Sequence, residues 1–247
     1  MRQILGLCLF FLIPTLGLTS PREPVDLVLV LATDVSASIV GRDYRLQNEG
    51  LAAAFENEEV IFALTNAGPE GRVAVLYYEW AGFSAQSVGI PWTIIDGEES
   101  AKNYAARIRS IDRFGAADEV FDGATGVAAA VHFGISQILS ANYPTNRKII
   151  DISSDGFENT GTDISSARDR AVEEGIQINA IVISANIRNP ESRDHQDMLA
   201  AHGHTDLLRY YQENVIVGPR AFVLEALRFQ DFGAAIRRKL VMELAAR

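Results

Sequence analysis

The feature that most constrains the fold is a nearly continuous apolar run at residues 25–33, VDLVLVLAT, which ends in Asp34-Val35-Ser36-Ala37-Ser38. A run of this composition is typical of a central parallel strand that is buried on both faces. In an open α/β sheet, ligands bind beyond the C-terminal ends of the strands. One carboxylate and two hydroxyls, spaced two residues apart, therefore follow the strand at the place where a ligand site is expected.

The rest of the chain alternates predicted strands with predicted helices. Further strands are predicted at 72–80, 87–95, 147–153, 176–184 and 221–226, and helices at 43–55, 98–111, 125–139, 163–174, 191–201 and 229–244. The short link 81–86 predicts an antiparallel hairpin, and Pro91 places its second strand at a sheet edge because proline cannot donate to a ladder. We therefore expect an α/β fold with a doubly wound, mostly parallel central sheet, one antiparallel edge strand and helices on both faces.

Residues 1–20 have the pattern of a secretory signal peptide. Arg2 precedes an apolar run at 4–18, and the small residues Thr19-Ser20 follow it. A transmembrane anchor is the alternative, but the run is shorter than the roughly 20 residues that cross a bilayer. We expect an exported protein, periplasmic or secreted, with no stable membrane span after cleavage and with residues 21–247 as one domain.

Composition excludes several classes of function. The formal net charge of −10 would repel a phosphate backbone, so nucleic acid is not an expected partner, whereas divalent cations would be attracted. The single cysteine, Cys8, lies within the apolar N-terminal run. A mature chain that starts after residue 20 would therefore contain no disulfide, no catalytic thiolate and no cysteine–zinc site.

Two other segments, like residues 34–38, place an oxygen-bearing side chain at the end of a predicted strand or the start of a predicted helix. Thr125 lies at a predicted helix start, and Asp155 lies just past a predicted strand. Because the ends of parallel strands converge at one edge of a sheet, we expect Asp34, Ser36, Ser38, Thr125 and Asp155 to meet there. Two carboxylates and three hydroxyls suit one octahedral Mg²⁺ or Mn²⁺ ion. Neutral hydroxyl ligands would leave that ion able to accept a carboxylate from a partner.

The order of these motifs resembles that of a von Willebrand factor type A domain. The order is strand–Asp-x-Ser-x-Ser, then Gly-x-Thr at a helix start, then strand–Ser-Asp-Gly, and its five polar residues match the metal-ion-dependent adhesion site of that family. More narrowly, the chain is similar to a family of secreted proteobacterial proteins, domain of unknown function 1194. This similarity runs from Val25 nearly to the C-terminus and includes segments 78–80, 151–156 and 221–224.

The resemblance implies a binding function rather than catalysis. It implies that Ser36, Ser38 and Thr125 contact Mg²⁺ directly and that Asp34 and Asp155 act directly or through water. It also implies that an acidic group from a protein partner completes the octahedron.

Some residues near the motifs depart from the family pattern or carry charge. Gly126 and Ala128 stand where hydroxyl residues are common in the family. Asp122 and Glu158 are interpreted as solvated loop charges. In the last predicted helix, the basic run 237–239 is interpreted as a solvated face.

Three alternatives accompany the adhesion hypothesis. Asp34 could be the nucleophile of a phosphohydrolase, but such enzymes usually need a second carboxylate two residues later, where this chain has Ser36. The protein could instead be a structural envelope protein whose metal only stiffens the loops. His195, His202 and His204 could suggest zinc, although a polar surface loop is the favoured interpretation.

Overall fold

The computed structural model describes residues 22–115, 123–184 and 206–245, and its six strands form one sheet. The strands are β1 (Leu27–Asp34), β2 (Val73–Trp80), β3 (Gln86–Ile95), β4 (Lys148–Ser154), β5 (Gln177–Ile183) and β6 (Val223–Ala226). Their order is β3-β2-β1-β4-β5-β6; β3 pairs antiparallel with β2, and every other neighbouring pair is parallel. The predicted sheet with one antiparallel edge strand is confirmed. Segments 1–20 and 191–201 lie outside the described residues.

Strand β1 is apolar from Leu27 to Ala32 because both of its faces are covered. All eight of its residues are buried. Leu27, Leu29 and Leu31 face one apolar layer, and Val28 and Val30 face the other, as the alternation of side chains along a strand requires. With β2 on one side and β4 on the other, β1 is central in the sheet. Its C-terminal tip therefore lies between the tips of two parallel neighbours.

Helices cover both faces of the sheet. One layer contains α1 (Gly41–Phe55), α2 (Glu58–Thr65), α3 (Glu98–Arg109) and α7 (Phe232–Ala245), and the other contains α4 (Val127–Ala141), α5 (Ile164–Glu173) and α6 (Leu207–Asn214). A 3₁₀ turn at Phe229–Asp231 precedes α7. Within the described ranges, no helix has both the length and the apolar character needed to cross a bilayer.

Helices α2 and α6 were not predicted from the sequence. Each is eight residues long, which is shorter than the window of about 11 residues needed to recognise a helical periodicity. Both carry a capping signal instead. The Asn57 side chain accepts a hydrogen bond from the backbone N–H of Glu59, and the Asp206 side chain accepts one from that of Arg209.

A buried ionic cluster ties α7 to the sheet. Lys239 is fully buried and forms ion pairs with Asp151 on β4 and with Glu243 one turn later on α7. Asn179 on β5 donates a 2.7 Å hydrogen bond from Nδ2 to Glu243 Oε1. The interpretation of residues 237–239 as a solvated face is therefore wrong for Lys239. Positions 239 and 243 share the helix face that packs on the sheet, whereas 237 and 238 are exposed.

The cluster holds two carboxylates but only one ammonium group, and this excess of negative charge affects the pKa of Asp151. Burial, and next the negative charge of Glu243, raise the pKa of Asp151 to about 7, although Lys239 acts in the opposite direction. The folded cluster therefore binds a proton at pH values where a solvated aspartate is already ionised.

This shift predicts a pH-dependent contribution to stability. Between about pH 4 and pH 7 the folded state binds more protons at Asp151 than the unfolded state does, so this residue's contribution to the free energy of unfolding falls as pH rises through that window. Asp151→Asn removes the titration. We expect the stability of wild type relative to Asp151→Asn to decrease from about pH 4.5 to about pH 7.5 in urea unfolding experiments.

Asp169→Asn, at an exposed carboxylate on α5, is the matched control and should differ little from wild type at any of these pH values. A wild-type minus Asp151→Asn difference that stays constant with pH would contradict the prediction.

Candidate metal centre

The five polar residues singled out in the sequence lie at the C-terminal edge of the sheet. Asp34 is the last residue of β1, Ser36 and Ser38 follow in the β1–α1 loop, and Asp155 comes directly after β4. Thr125 lies two residues before the first residue of α4. Since β1 and β4 are parallel neighbours, their tips bring residues more than a hundred positions apart into contact.

Hydrogen bonds join the two strand tips. The Ser38 hydroxyl donates to Asp155 Oδ1 over 2.6 Å, and Ser36 Oγ lies 3.2 Å from Ser38 Oγ. Ser36 and Asp155 are buried, whereas Ser38 is partly exposed. The donor oxygens therefore form a connected row that reaches solvent at Ser38.

Asp34 is the most enclosed member of the group. Its Oδ1 accepts a 2.8 Å hydrogen bond from the backbone N–H of Ser36, and its Oδ2 accepts a 2.5 Å bond from the Ser154 hydroxyl. Burial raises the pKa of Asp34, and the hydrogen bonds from Ser154 and Ser36 offset part of that rise. Both carboxylate oxygens therefore accept hydrogen bonds from neutral donors, and the positive charge of Arg113 lowers the pKa by a smaller amount than those hydrogen bonds do.

Thr125 is fixed against the loop after β4. Its N–H donates to Asn159 Oδ1 over 2.7 Å, and the Asn159 N–H donates back to the Thr125 carbonyl over 3.0 Å. A Cβ at Gly156 would stand only 3.0 Å from Thr125 Oγ1, so the threonine hydroxyl lies directly against the Asp155-Gly156 backbone. The structure thus links Asp34, Ser36, Ser38 and Asp155 through hydrogen bonds and places Thr125 against Gly156, next to Asp155.

Three supporting residues were missed in the sequence. Arg113 donates from Nη2 to the carbonyls of Val35 (2.8 Å) and Ser36 (3.2 Å), which fixes the backbone between the first two polar residues. Ser154 holds the carboxylate of Asp34. Glu79, near the end of β2, is the third, and its signal was a carboxylate within an otherwise apolar strand.

Glu79 anchors the segment that carries Arg113. Its carboxylate accepts hydrogen bonds from the Phe114 N–H (2.6 Å), the Tyr44 hydroxyl (2.7 Å) and the Tyr77 hydroxyl (2.9 Å). Burial raises the pKa of Glu79, and the Phe114 and tyrosine hydrogen bonds lower it in part. The loop around the site is consequently held from β2 as well as from β1 and β4.

The interpretation of Glu158 as a solvated loop charge is wrong. Glu158 is buried, and its Oε2 accepts a 2.9 Å hydrogen bond from the Ala128 N–H in the first turn of α4. Its Oε1 accepts another from the Thr160 N–H over 2.8 Å. A carboxylate here stabilises the N-terminus of α4, which lacks its own capping side chain because Gly126 occupies the N-cap position. Asp122 lies outside the described residues.

The donor set fits a hard divalent cation. All five side chains offer oxygen, and the buried Asp34 carboxylate lacks a cationic hydrogen-bond partner among the described residues. Over those same residues, no group of three or more His, Cys, Asp or Glu side chains is placed to hold a metal ion. An ion held here would therefore depend on hydroxyls as well as carboxylates. The three histidines considered for zinc lie outside the described part of the chain.

Comparison with solved structures shows the fold. Proximal thread matrix protein 1 from the mussel byssus matches with a TM-score of 0.54 and 16% identity, over 90% of this chain and 48% of that one. Its form with a zinc-occupied MIDAS motif, the metal-ion-dependent adhesion site, matches at 0.55 and 15%, over 92% and 49%. The pilus adhesin SpaC from Lactobacillus rhamnosus GG matches at 0.56 and 13%, over 90% and 31%. The fold is thus of the von Willebrand factor type A kind, and this chain spans about half or less of each neighbour.

Sequence comparison gives one family. The family model described as protein of unknown function (DUF1194) matches residues 24–247. No curated protein matches the chain in sequence.

The packing of the loops around the site predicts that Gly123 is intolerant of a side chain. Gly123 has φ of +64°, and a Cβ there would lie 2.7 Å from the Cβ of Ala37, within the 34–38 loop. Gly161→Ala is the control, because Gly161 has φ of +76° but open space around it. The left-handed backbone should lower the free energy of unfolding of each alanine variant by about 1–2 kcal/mol. Overlap of the new methyl group with Ala37 should lower it further, by about 1–3 kcal/mol, in Gly123→Ala alone. Equal destabilisation of both variants in urea unfolding would contradict this packing argument.

Proposed function

We propose that this chain, which belongs to the family described as protein of unknown function (DUF1194), binds a protein partner through a Mg²⁺ or Mn²⁺ ion at the tips of β1 and β4. Asp34, Ser36, Ser38, Thr125 and Asp155 would hold the ion. The ion would act as a Lewis acid that accepts a carboxylate from the partner. The observation that carries the proposal is the hydrogen-bonded row of Asp34, Ser36, Ser38 and Asp155, in which the buried Asp34 carboxylate accepts hydrogen bonds only from neutral donors among the described residues.

The structural neighbours support the same proposal. One is described with zinc in its MIDAS motif, and another is a pilus adhesin. Zinc binding and adhesion are properties of those neighbours. For this chain, the proposal depends on its own five oxygen-bearing residues. A partly exposed Ser38, hydrogen-bonded to Asp155, gives an incoming carboxylate a route to the ion.

The enzyme alternative is less well supported by the geometry. A phosphoryl acceptor must expose an oxygen to its substrate, but both oxygens of Asp34 accept hydrogen bonds inside the protein. The second carboxylate that such enzymes use is replaced by Ser36. We therefore propose that the protein is a binding protein and not an enzyme.

Charge near the site favours an acidic partner despite the formal net charge of −10. Arg42 and Arg45 lie exposed in the first turns of α1, directly after the loop that carries Ser36 and Ser38. These two cations outnumber the single acidic residue of that turn, Asp43. They would reduce the repulsion between the acidic protein and an anionic segment.

We also propose that the protein is exported and that residues 1–20 are removed, which leaves one domain from residue 21 to residue 247. The sequence pattern of the segment supports this, and the family match begins after it, at residue 24. Expression in a Gram-negative host should give an extracytoplasmic protein whose intact mass corresponds to cleavage near Ser20. Recovery of the uncleaved chain in the membrane fraction would favour the anchor instead.

Calorimetric titration with Mg²⁺ and with Mn²⁺ tests the metal site. Wild type should bind one ion, and Asp34→Ala should weaken binding by more than about 100-fold, since even residues that only support metal ligands contribute about 10–100-fold. Asp169→Ala removes an equal charge from the exposed surface of α5 and should bind like wild type. Unchanged affinity in a folded Asp34→Ala variant would contradict the assignment.

Water-proton relaxation of bound Mn²⁺ separates a binding site from a structural one. A partner-binding site keeps an exchangeable water on the ion, and an added carboxylate peptide should displace it and lower the relaxation enhancement. A bound ion without exchangeable water would favour the hypothesis that the metal only stiffens the loops.

A further inference from the structure

The turn between β2 and β3, residues 81–85, lies beside the candidate metal site. The Val35 N–H donates a 2.8 Å hydrogen bond to the Trp80 carbonyl at the end of β2. The Gly126 N–H donates another, also 2.8 Å, to the Ala81 carbonyl. The turn therefore contacts both loops that carry the proposed ligands, because Val35 lies between Asp34 and Ser36, and Gly126 follows Thr125.

The tip of this turn presents an exposed aromatic ring on a fixed backbone. Phe83 is 62% exposed. Its turn is closed by hydrogen bonds from the Ala81 N–H to the Ala85 carbonyl (2.9 Å) and from the Ala85 N–H to the Gly82 carbonyl (3.2 Å). The Gln86 side chain donates to the Gly82 and Phe83 carbonyls over 2.9 and 3.2 Å. A backbone that is already fixed loses little conformational entropy when a partner binds to it.

A second exposed apolar residue follows the serine loop. Val40 is 55% exposed and occupies the N-cap position of α1, two residues after Ser38. Its side chain makes no capping hydrogen bond. Serine, threonine, aspartate or asparagine at an N-cap is typically worth about 1 kcal/mol more than an apolar residue. Valine at this position therefore gives up helix stability, and its apolar surface faces solvent beside the site.

We propose that the partner's metal-binding carboxylate is flanked by an apolar side chain, and that this side chain packs against Phe83, with Val40 extending the apolar contact. This inference rests on the proposed function and specifies its ligand. The occupant is a protein segment in which Asp or Glu stands within a few residues of a large apolar residue. Arg42 and Arg45, next to Val40, match the acidic character of such a segment.

The partner would then be held at two neighbouring points: its carboxylate on the ion, and its apolar side chain on the aromatic ring of Phe83. Large, rigid aromatic side chains dominate many protein interfaces, and removing one from its contact usually weakens binding by about tenfold or more. The carboxylate on the ion would supply metal dependence, and the apolar contact would distinguish one acidic segment from another.

Selection from a displayed random-peptide library tests the inference. The library is panned on the folded, full mature chain in Mn²⁺, and bound peptides are released with a chelator. Wild type should select Asp or Glu with Phe, Leu, Ile, Met or Trp within a few positions. Phe83→Ser should still select chelator-released acidic peptides but lose the apolar enrichment, and it should bind the wild-type-selected peptides about tenfold more weakly.

Phe62→Ser is the matched control, because Phe62 is 68% exposed on α2. Helix α2 follows the far end of α1, about 22 Å along the helix axis from the serine loop at about 1.5 Å per residue. Phe62→Ser should therefore select the same peptides as wild type. Mn²⁺ affinity and thermal unfolding, measured on all three proteins, show that each is folded and holds the ion.

The possible results separate this inference from the proposed function. Acidic peptides without apolar enrichment, or equal selection by Phe83→Ser and wild type, would overturn the inference and leave the metal-dependent binding function standing. Peptides that are not released by chelator would overturn the proposed function and the inference with it. Loss of apolar enrichment in Phe83→Ser alone would support both.

Discussion

The buried carboxylate of Asp34 is the constraint around which this end of the molecule is arranged. Placing an ionised group at the tip of the central strand carries a desolvation cost, which neutral hydrogen bonds from Ser36 and Ser154 only partly offset. Arg113 and Glu79 then hold the loop and its neighbours in the positions that make those bonds possible. A divalent cation would add positive charge beyond that of Arg113, and it would then link the stability of the loops to the proposed binding function.

The protein handles its second group of buried carboxylates differently. Asp151 and Glu243 have a protein cation, Lys239, in direct contact, and Asn179 satisfies Glu243 as well. That cluster lies between α7 and the sheet, and Lys239 supplies positive charge from within the protein. Asp34, in contrast, accepts hydrogen bonds only from neutral donors within the described ranges, and Arg113 acts on it through charge alone. This contrast supports the proposal that an external cation binds at the strand tips.

The surface around the candidate site also bears on how a partner would bind. The loops around the candidate site are packed closely, since a Cβ at Gly123 would lie 2.7 Å from that of Ala37 and one at Gly156 would lie 3.0 Å from Thr125 Oγ1. Beyond them, the surface changes to two exposed apolar residues, Phe83 and Val40. What sets these two apart from an exposed apolar residue such as Phe62 is that their chain segments adjoin the candidate site.

The sequence by itself indicated the doubly wound, mostly parallel sheet, the antiparallel edge strand and the five candidate ligands, whereas the order of the strands came from the tertiary structure. Strong local signals carried the predicted features: a nearly continuous apolar run for β1, a short hairpin link for β3, and polar motifs at the strand ends. Helices α2 and α6 were not predicted, because eight residues are too few to show a helical periodicity. Their capping residues, Asn57 and Asp206, were the only local signals of their starts that the described hydrogen bonds reveal. Only the tertiary structure decided the roles of Lys239 and Glu158, which the sequence presents as ordinary surface charges. Burial of a charge depends on which helix face packs against the sheet and on partners far away in the chain, such as Asp151 for Lys239 and Ala128 for Glu158, and no local pattern encodes those contacts.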